Sequence, residues 1–139
     1  MKWVVDASVA AKWLVPEPDS PLAEALLDDE LIVPDLLFAE VGNILWKKQQ
    51  RGEMDAAATQ IGVRWLLQVP VQVHDSASLL ADALDIALQL QHPACDCFYL
   101  ALARRADAPL VTADRRLHAR CQEVDAPGLG QRVRLLQAA

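Results

Sequence analysis

The chain has 139 residues and 53% of them are hydrophobic, so it can form a core and is not intrinsically disordered. Its 19 acidic and 13 basic residues give a net charge of −6, which argues mildly against nonspecific nucleic-acid binding. No segment is apolar enough to span a bilayer, the N-terminus does not resemble a signal peptide, and three cysteines suggest no disulfide framework, so we expect a cytoplasmic protein.

The first half of the chain alternates short apolar strands with helices. Strands are predicted at residues 2–5 and 31–33, where the residues are almost all apolar. Helices are predicted at residues 8–14, 19–27, 36–50 and 55–67. Pro16 and Pro18 stop the first of these helices, and Gly52 follows the third in the usual stop position. The third and fourth helices are therefore expected to pair as a hairpin across Gly52.

The second half of the chain continues this alternation. Strands are predicted at residues 69–73 and 110–112, with a possible edge strand at 132–135. Helices are predicted from Asp75 or Ser76 to Gln91, before Pro93 breaks the pattern, and then at residues 96–106 and 114–121. The pattern predicts one α/β domain over residues 1–139, with a central, mainly parallel sheet of four to five strands and helices on both faces. In such folds the functional site lies outside the carboxyl ends of the strands.

Single carboxylates stand at the ends of these predicted elements. Asp6 follows the first strand, Asp114 follows the fourth, and Asp96 begins a helix. Aspartate is a favoured helix N-cap, so each of the three has an ordinary structural interpretation when it is taken alone. Thr112 adds a hydroxyl near the same strand end as Asp114. Three such positions in one short chain are less ordinary, and together they favour a shared function.

Glu40 is harder to explain as a surface residue. Apolar residues surround it at helical spacing, which places Glu40 on or beside the core face: Leu36, Leu37, Val41 and Ile44. A buried carboxylate is costly unless a cation or a hydrogen-bond donor compensates it. Asn43 is one turn further along and is a candidate to orient Glu40, whereas the purely structural alternative is an ion pair with Lys47.

If the sheet brings the strand ends together, the four carboxylates meet in one cleft. Their mutual repulsion then raises their pKa values or requires a cation, and oxygen ligands suit Mg²⁺, or Mn²⁺ as a substitute. One or two such ions activate water and neutralise charge on a phosphodiester. The basic residues form three clusters, which are candidates to bind the backbone of a polyanion, although each is also explained as a solvated helix face. The clusters are Lys47, Lys48 and Arg51; Arg104 and Arg105; and Arg115, Arg116 and Arg120.

Over essentially its whole length the chain resembles PIN-domain ribonucleases, and especially the VapC toxins of bacterial type II toxin–antitoxin pairs. "VVDASVAAKWLVPEP" is similar to the family's first motif, with its acidic residue at Asp6 and a hydroxyl at Ser8. "VPDLLFAEVGNILWKKQQRGE" is similar to the second, with Glu40 and Asn43. "CDCFYLALARRADAPLVTADRRL" is similar to the third and fourth, with Asp96, and with Asp114 beside Thr112. Each motif alone is unspecific, but the four in this order and at these separations are specific.

The resemblance implies a Rossmann-like α/β/α fold and Mg²⁺- or Mn²⁺-dependent endoribonuclease activity. It also implies a homodimer, a cognate VapB-type antitoxin that covers the acidic cleft, and contact with operon DNA only through that antitoxin. Metal ligation and catalysis are expected from the four carboxylates, which are Asp6, Glu40, Asp96 and Asp114. Supporting or phosphate-facing roles are expected for Ser8, Asn43, Thr112, Arg115 and Arg116. The RNA target, the number of metal ions and the cleavage of DNA stay open.

Three other functions compete with this interpretation. The first is a catalytically silent PIN-fold module that holds RNA or a protein partner without cutting it. Trp46 and Trp65 on the helix hairpin are its candidate contact surface, although we expect both to lie in the core. An aspartate-nucleophile phosphatase is disfavoured because it requires a second aspartate where this chain has Ser8. A phosphoaspartate receiver domain fails similarly, because no adjacent acidic pair precedes Asp6.

The cysteines and histidines show no recognisable metal-site spacing. Cys95, Cys97 and Cys121 lack the paired spacing of a zinc site, and we expect all three to be small packing residues. His74, His92 and His118 show no helical pairing with one another, and loop or surface positions are expected for them.

Overall fold

The structure is a computed structural model that describes residues 1–124 and 128–137. Its centre is a five-stranded sheet in which every neighbouring pair of strands is parallel. In their order across the sheet, the strands are β3 (Val71–His74), β2 (Glu30–Pro34), β1 (Lys2–Val5), β4 (Leu110–Thr112) and β5 (Val133–Leu135). Because all the strands run the same way, their carboxyl ends lie along one edge of the sheet.

Helices flank this sheet in the three-layer α/β/α arrangement that the sequence predicted. They are α1 (Ala7–Leu14), α2 (Ser20–Ala25), α3 (Leu36–Gln50), α4 (Ala56–Leu66), α5 (Leu80–Leu90), α6 (Ala94–Ala106), α7 (Arg115–Glu123) and α8 (Leu129–Arg132). Short 3₁₀ turns at Leu26–Asp28 and Ala77–Leu79 follow α2 and precede α5. Gly52 has φ +72° in the turn after α3, as expected for a helix stop. Among the described residues, no helix has both the length and the apolar character needed to cross a bilayer.

The core lies between the sheet and its helices. The central strands are fully covered, and Val4, Val5 and Val33 have no exposed surface. The helix α6 packs against β1, β2 and β4, and it buries Leu100 and Leu102 completely. Each fully buried leucine contributes about 2 kcal/mol to the free energy of unfolding. This packing fixes α6, and therefore the carboxylate of its first turn, relative to the strand ends.

Several predicted boundaries are wrong, and prolines explain two of them. The helix α6 begins at Ala94, because Pro93 adopts the cap position with its constrained φ of −53°, so Asp96 lies in the first turn and is not the N-cap. The strand β3 begins at Val71, because Pro70 has no N–H to donate to the ladder. The edge strand β5 is present, but the short helix α8 that precedes it was not predicted.

Both tryptophans of the α3–α4 hairpin were expected in the core, and this expectation is wrong. Trp46 is 59% exposed and Trp65 is 40% exposed. Trp46 is exposed because the buried face of α3 is narrow. Within the described structure, this helix buries only Leu37, Val41 and Leu45. The Trp65 ring nevertheless packs against Trp13 in an edge-to-face arrangement, with the two ring centroids 6.3 Å apart.

Candidate active site

The central strands β1 and β4 are neighbours, and their carboxyl ends bring two predicted site residues into the same region. Val5 is paired with Val111, so Asp6 and Thr112 leave the sheet side by side. Asp6 begins α1, and Asp114 begins α7 two residues after β4. The sheet register alone therefore places these two aspartates at one edge, as the strand positions predicted.

A cavity of about 440 Å³ lies at this edge. Its wall contains all four predicted carboxylates, together with Ser8 and Asn43. The complete lining is Asp6, Ala7, Ser8, Ala39, Glu40, Asn43, Ile44, Cys95, Asp96, Tyr99 and Asp114, and among the described residues it includes no basic side chain. We call this space the acidic cavity. It draws on the start of α1, the middle of α3, the first turns of α6 and the cap of α7.

Asp6 is the most deeply buried of the four carboxylates, with 5% of its surface exposed. Its Oδ1 accepts hydrogen bonds from the Ser8 hydroxyl at 2.5 Å and from the backbone N–H of Val9 at 3.2 Å. Burial raises the pKa of Asp6 to about 6, the hydrogen bonds from Ser8, Thr112 and Val9 partly oppose the shift, and the negative charge of Asp96 adds to it. Asp6 therefore caps α1, as its ordinary interpretation predicted, and also presents a carboxylate to the cavity.

Glu40 is held by a residue that the sequence did not point to. The hydroxyl of Tyr99 donates a hydrogen bond of 2.6 Å to Oε1 of Glu40, where Asn43 was the expected orienting residue. Tyr99 is 1% exposed, and burial is the main cause that raises its pKa well above the ordinary value. Burial also raises the pKa of Glu40, while the bond from Tyr99 opposes this rise and the charge of Asp96 adds to it.

Asp96 and Asp114 each bond to a different partner. Oδ2 of Asp96 lies 2.6 Å from Nε2 of His92, four residues earlier. Oδ1 of Asp114 accepts hydrogen bonds from the backbone N–H groups of Arg116 at 2.9 Å and Leu117 at 3.2 Å, so Asp114 is the N-cap of α7. The capping interpretation is therefore right for Asp114, and it is compatible with a place in the cavity wall.

Hydroxyl groups tie the strand ends together behind the carboxylates. The Ser8 hydroxyl accepts a hydrogen bond from the backbone N–H of Ala113 at 3.0 Å, and the Thr112 hydroxyl accepts one from Asp114 at 3.0 Å. Thr112 is completely buried. Because the Ser8 hydroxyl bonds both Asp6 and Ala113, and the Thr112 hydroxyl bonds both Asp6 and Asp114, Ser8 and Thr112 hold Asp6 and Asp114 in a fixed relation.

The two predicted arginines differ in their positions. Arg116 lines a second cavity next to the acidic one, together with Arg120. Arg115 is exposed at the first position of α7.

Comparison with known proteins agrees with the fold. The sequence model of the PIN domain matches residues 3–122. The chain belongs to the PIN-domain family. A curated relative of this PIN-domain protein, ribonuclease VapC3 from Pyrobaculum aerophilum, is 39% identical over 121 residues, which cover 84% of this chain and 92% of the relative. The resemblance to VapC proteins is thereby confirmed.

Solved structures confirm the PIN-domain fold. PAE2754 from Pyrobaculum aerophilum superposes with a TM-score of 0.70 and 25% identity, covering 86% of this chain and 79% of that one. VapBC2 from Rickettsia felis, solved with a DNA fragment from its promoter, superposes with a TM-score of 0.64 and 14% identity, covering 99% and 100% of the two chains. The latter similarity concerns the fold alone.

The donor set of this PIN-domain cavity suits a hard divalent cation, although the carboxylates are not arranged around one. Among the described residues, no three Asp, Glu, His or Cys side chains converge closely enough to hold a metal ion. Instead, Asp6, Glu40 and Asp96 bond to Ser8, Tyr99 and His92. All four acidic groups supply oxygen atoms, the ligand type that Mg²⁺ and Mn²⁺ prefer, and they share one cavity wall. These residues therefore fit a divalent cation in their chemistry and in their shared location, although their side chains are not close enough together to surround it.

Sequence reasoning missed three residues at this site. Tyr99 is 59 positions from Glu40, and no spacing rule joins residues so far apart. His92 lies in the loop between α5 and α6, as expected, but its contact with Asp96 was not predicted, although the separation of four residues was a usable signal. Cys95 was expected to be a packing residue, and this is wrong, because it is exposed and lines the acidic cavity. Cys97 and Cys121 are buried, as expected.

Proposed function

We propose that this PIN-domain protein is an endoribonuclease that depends on Mg²⁺ or Mn²⁺ and forms the toxin component of a VapBC-type pair. The observation that carries the proposal is the acidic cavity, where four carboxylates from distant parts of the chain line one wall at the carboxyl edge of the sheet. Placing four such groups together is costly without a cation. A relative that is 39% identical to this chain is named a ribonuclease, which supports RNA as the substrate.

In this proposal Asp6, Glu40 and Asp96 hold the cation, some of them through water, and Asp114 completes the set. When bound, the ion supplies positive charge to the phosphodiester and activates water. The chain's own residues position the ligands. Ser8 and Thr112 hold Asp6 at the ends of β1 and β4, and Tyr99 holds Glu40 against α6.

Substrate contacts are proposed for the polar residues at the cavity mouth. Asn43 is exposed and lines the acidic cavity, where its amide can donate to a phosphate oxygen. Arg116 lines the neighbouring cavity and is the better placed of the two predicted arginines, since Arg115 is exposed at the start of α7. A planar guanidinium suits a phosphate group because it donates two parallel hydrogen bonds.

The partners follow from the same resemblance. The chain of VapBC2 that shares this fold was solved with promoter DNA. This supports the proposal that the chain has a VapB-type antitoxin partner, and that the antitoxin makes the DNA contacts of the complex. We propose a homodimer, inhibition by an antitoxin segment that covers the acidic cavity, and action on RNA in the cytoplasm.

Cleavage of a labelled single-stranded RNA pool tests the activity. The purified protein is assayed with Mg²⁺, with Mn²⁺ and with EDTA, beside the variants Asp96→Asn and Asp107→Asn. Asp107 is the matched control because it lies at the other end of the same helix, pairs with Arg132 and takes a left-handed φ of 51° that asparagine accepts. We expect cutting only with metal, and loss of cutting in Asp96→Asn alone. Cutting in EDTA, or equal cutting by Asp96→Asn, would contradict the assignment.

The second candidate is a catalytically silent binding module. It is favoured by the exposed apolar side chains of the α3–α4 hairpin, Trp46, Ile61 and Trp65, and by the absence of a converged metal-ligand group among the described residues. If no RNA is cleaved with any metal ion and a partner binds tightly without metal, the binding-module hypothesis is supported.

A further inference from the structure

A second cavity, of about 510 Å³, adjoins the acidic cavity. The two cavities share part of their walls, since Asp96 and Asp114 line both. The remainder of the second wall is formed by His92, Pro93, Arg116 and Arg120. We call this space the basic cavity. Any chain molecule that passes over Asp96 and Asp114 therefore leaves one cavity and enters the other.

The two cavities differ in charge. The acidic cavity has four carboxylates and, within the described residues, no basic side chain in its wall. The basic cavity places two arginines and a histidine on the far side of the two shared aspartates. A polyanion that reacts in the acidic cavity therefore meets cationic side chains on this side. This asymmetry suits a substrate with one negative group per repeating unit.

Arg120 is held in place before any ligand binds. Its Nε donates a hydrogen bond of 2.6 Å to the carbonyl oxygen of Leu90, the last residue of α5. Its two terminal nitrogens lie 3.4 Å from Glu123 and 3.5 Å from Gln91, which is the outer limit of a hydrogen bond. Glu123 is 65% exposed in its side chain, so this ion pair is weak. The guanidinium is thus oriented, while its terminal N–H groups are only weakly engaged.

Arg116, one turn before Arg120 on α7, and His92, from a different segment, complete the wall. The backbone N–H of Arg116 is bound to the capping carboxylate of Asp114, which fixes the base of its exposed side chain in the first turn of α7. His92 reaches the wall from the segment between α5 and α6, and its ring lies 2.6 Å from Asp96. The basic side chains therefore come from two segments, α7 for both arginines and the α5–α6 connection for His92, and the hydrogen bond from Arg120 to Leu90 joins α7 to the end of α5.

We propose that the basic cavity binds the backbone phosphate of the nucleotide next to the reacting phosphodiester, on one side of the cleavage point only. The proposal rests on the ribonuclease function, since it takes the acidic cavity as the place of reaction. The cavity volume lies within the range of about 300–1,000 Å³ typical of small-molecule sites, so a phosphate with its ribose fits. Arg116 and Arg120 supply the positive charge. Asp96 and Asp114 lie between the two cavities and therefore set the distance between the reacting phosphate and the neighbouring one.

The test is the affinity of a short fluorescent single-stranded RNA, measured in EDTA over a range of salt concentrations. Arg116→Ala is expected to weaken binding about fivefold and to lower the slope of log affinity against log salt by about 0.7, the value for one lost phosphate contact on a single strand. The matched control is Arg64→Ala, an exposed arginine on α4, a helix whose residues line neither cavity. Arg120→Lys keeps the positive charge of Arg120 but not its paired N–H donors. Thermal unfolding verifies that each variant is folded.

A second arm locates the phosphate. A single neutral methylphosphonate is moved along the RNA one position at a time. In the wild-type protein one position is expected to weaken binding more than its neighbours, and in Arg116→Ala the same substitution is expected to cost nothing further. This double-mutant logic assigns the contact to one side chain and one phosphate.

Unchanged affinity and slope in Arg116→Ala, or an equal loss in Arg64→Ala, would overturn the proposal. The outcome is separable from that of the ribonuclease function. Metal-dependent cleavage with no effect of Arg116→Ala on binding would leave the nuclease standing and remove the phosphate site. Arginine-dependent binding without any cleavage would leave the phosphate site standing and remove the nuclease.

Discussion

Tyr99 donates a hydrogen bond of 2.6 Å to Glu40 across 59 positions of the chain. The bond joins α6 to α3 at the wall of the acidic cavity, and the tyrosine is almost completely buried. Glu40 is thereby held by a neutral donor, which restrains its direction without cancelling its charge. Such an indirect contact is the kind that tunes metal ligands in proteins.

Tyr99→Phe keeps the packing of the ring and removes only this donor. We expect Mn²⁺ affinity to fall at least about tenfold, because Glu40 is no longer oriented, and the free energy of unfolding to fall by about 1 kcal/mol, because a partly buried carboxylate loses its partner. Calorimetric titration of Mn²⁺ and urea unfolding measure the two effects. An unchanged Mn²⁺ affinity would show that Tyr99 contributes packing alone.

The raised pKa of Asp6 predicts a pH-dependent stability in the metal-free protein. The folded-state pKa is about 6 and the ordinary value is 3.8, so the folded state binds the proton more tightly. Asp6 therefore contributes its full stability below pH 3.8, and this contribution is lost as the pH rises through 6. The loss amounts to about 3 kcal/mol.

Asp6→Asn removes this dependence. In EDTA we expect the variant and the wild type to be equally stable near pH 4, and the variant to be the more stable by about 3 kcal/mol at pH 7.5. Urea unfolding across this range measures the difference. Asp55→Asn is the control, since Asp55 caps α4 through the backbone N–H of Ala58 but is exposed. A difference that stays constant with pH would refute the account of Asp6.

His92 is expected to position Asp96. In His92→Ala the Oδ2 atom of Asp96 loses its 2.6 Å partner, so we expect Mn²⁺ affinity to fall about tenfold. His92→Gln retains an N–H donor and is expected to restore part of the affinity. His74→Ala, at the end of β3, is the matched control. Equal Mn²⁺ affinity in all three variants would show that the His92 contact does not order the ligand.

The three cysteines are expected to differ in reactivity. Burial raises the pKa of Cys97 to about 12 and that of Cys121 to about 11, and both are buried, whereas Cys95 is exposed in the acidic cavity. A bulky thiol reagent is therefore expected to modify Cys95 first and to block RNA cleavage. Mass spectrometry of the native protein identifies the modified site. Cys95→Ser is expected to make cleavage insensitive to the reagent, and continued sensitivity would contradict the placement of Cys95.

The sequence predicted the fold and the acidic positions because both depend on local patterns. The run from Lys2 to Val5 predicts a buried strand, and Asp6 must then lie at its carboxyl end. Glu40 stands out because its helical neighbours are apolar. Asp6 and Asp114, which follow strands, could therefore be placed at one edge before the structure was known, whereas the position of Glu40 and Asp96 beside them depended on how their helices pack.

What the sequence did not predict depends on distant contacts or on how far a helix face is covered. The Tyr99–Glu40 bond joins two helices whose relative position comes from packing on the sheet. The exposure of Trp46 and Trp65 depends on which side of α3 and α4 is covered, and helical spacing alone does not reveal this. The basic cavity likewise requires Arg120 to meet the end of α5, 30 residues earlier.

The central claim is that the four carboxylates form one cation site, and calorimetric titration of Mn²⁺ at pH 7.5 tests it most directly. We predict that the wild-type protein and Asp107→Asn bind Mn²⁺ equally, and that Asp6→Asn, Glu40→Gln and Asp96→Asn each weaken binding at least about tenfold. Asp114→Asn is predicted to have a smaller effect. Wild-type protein that binds no Mn²⁺, or acidic-cavity variants that bind it as tightly as the wild type, would contradict the account.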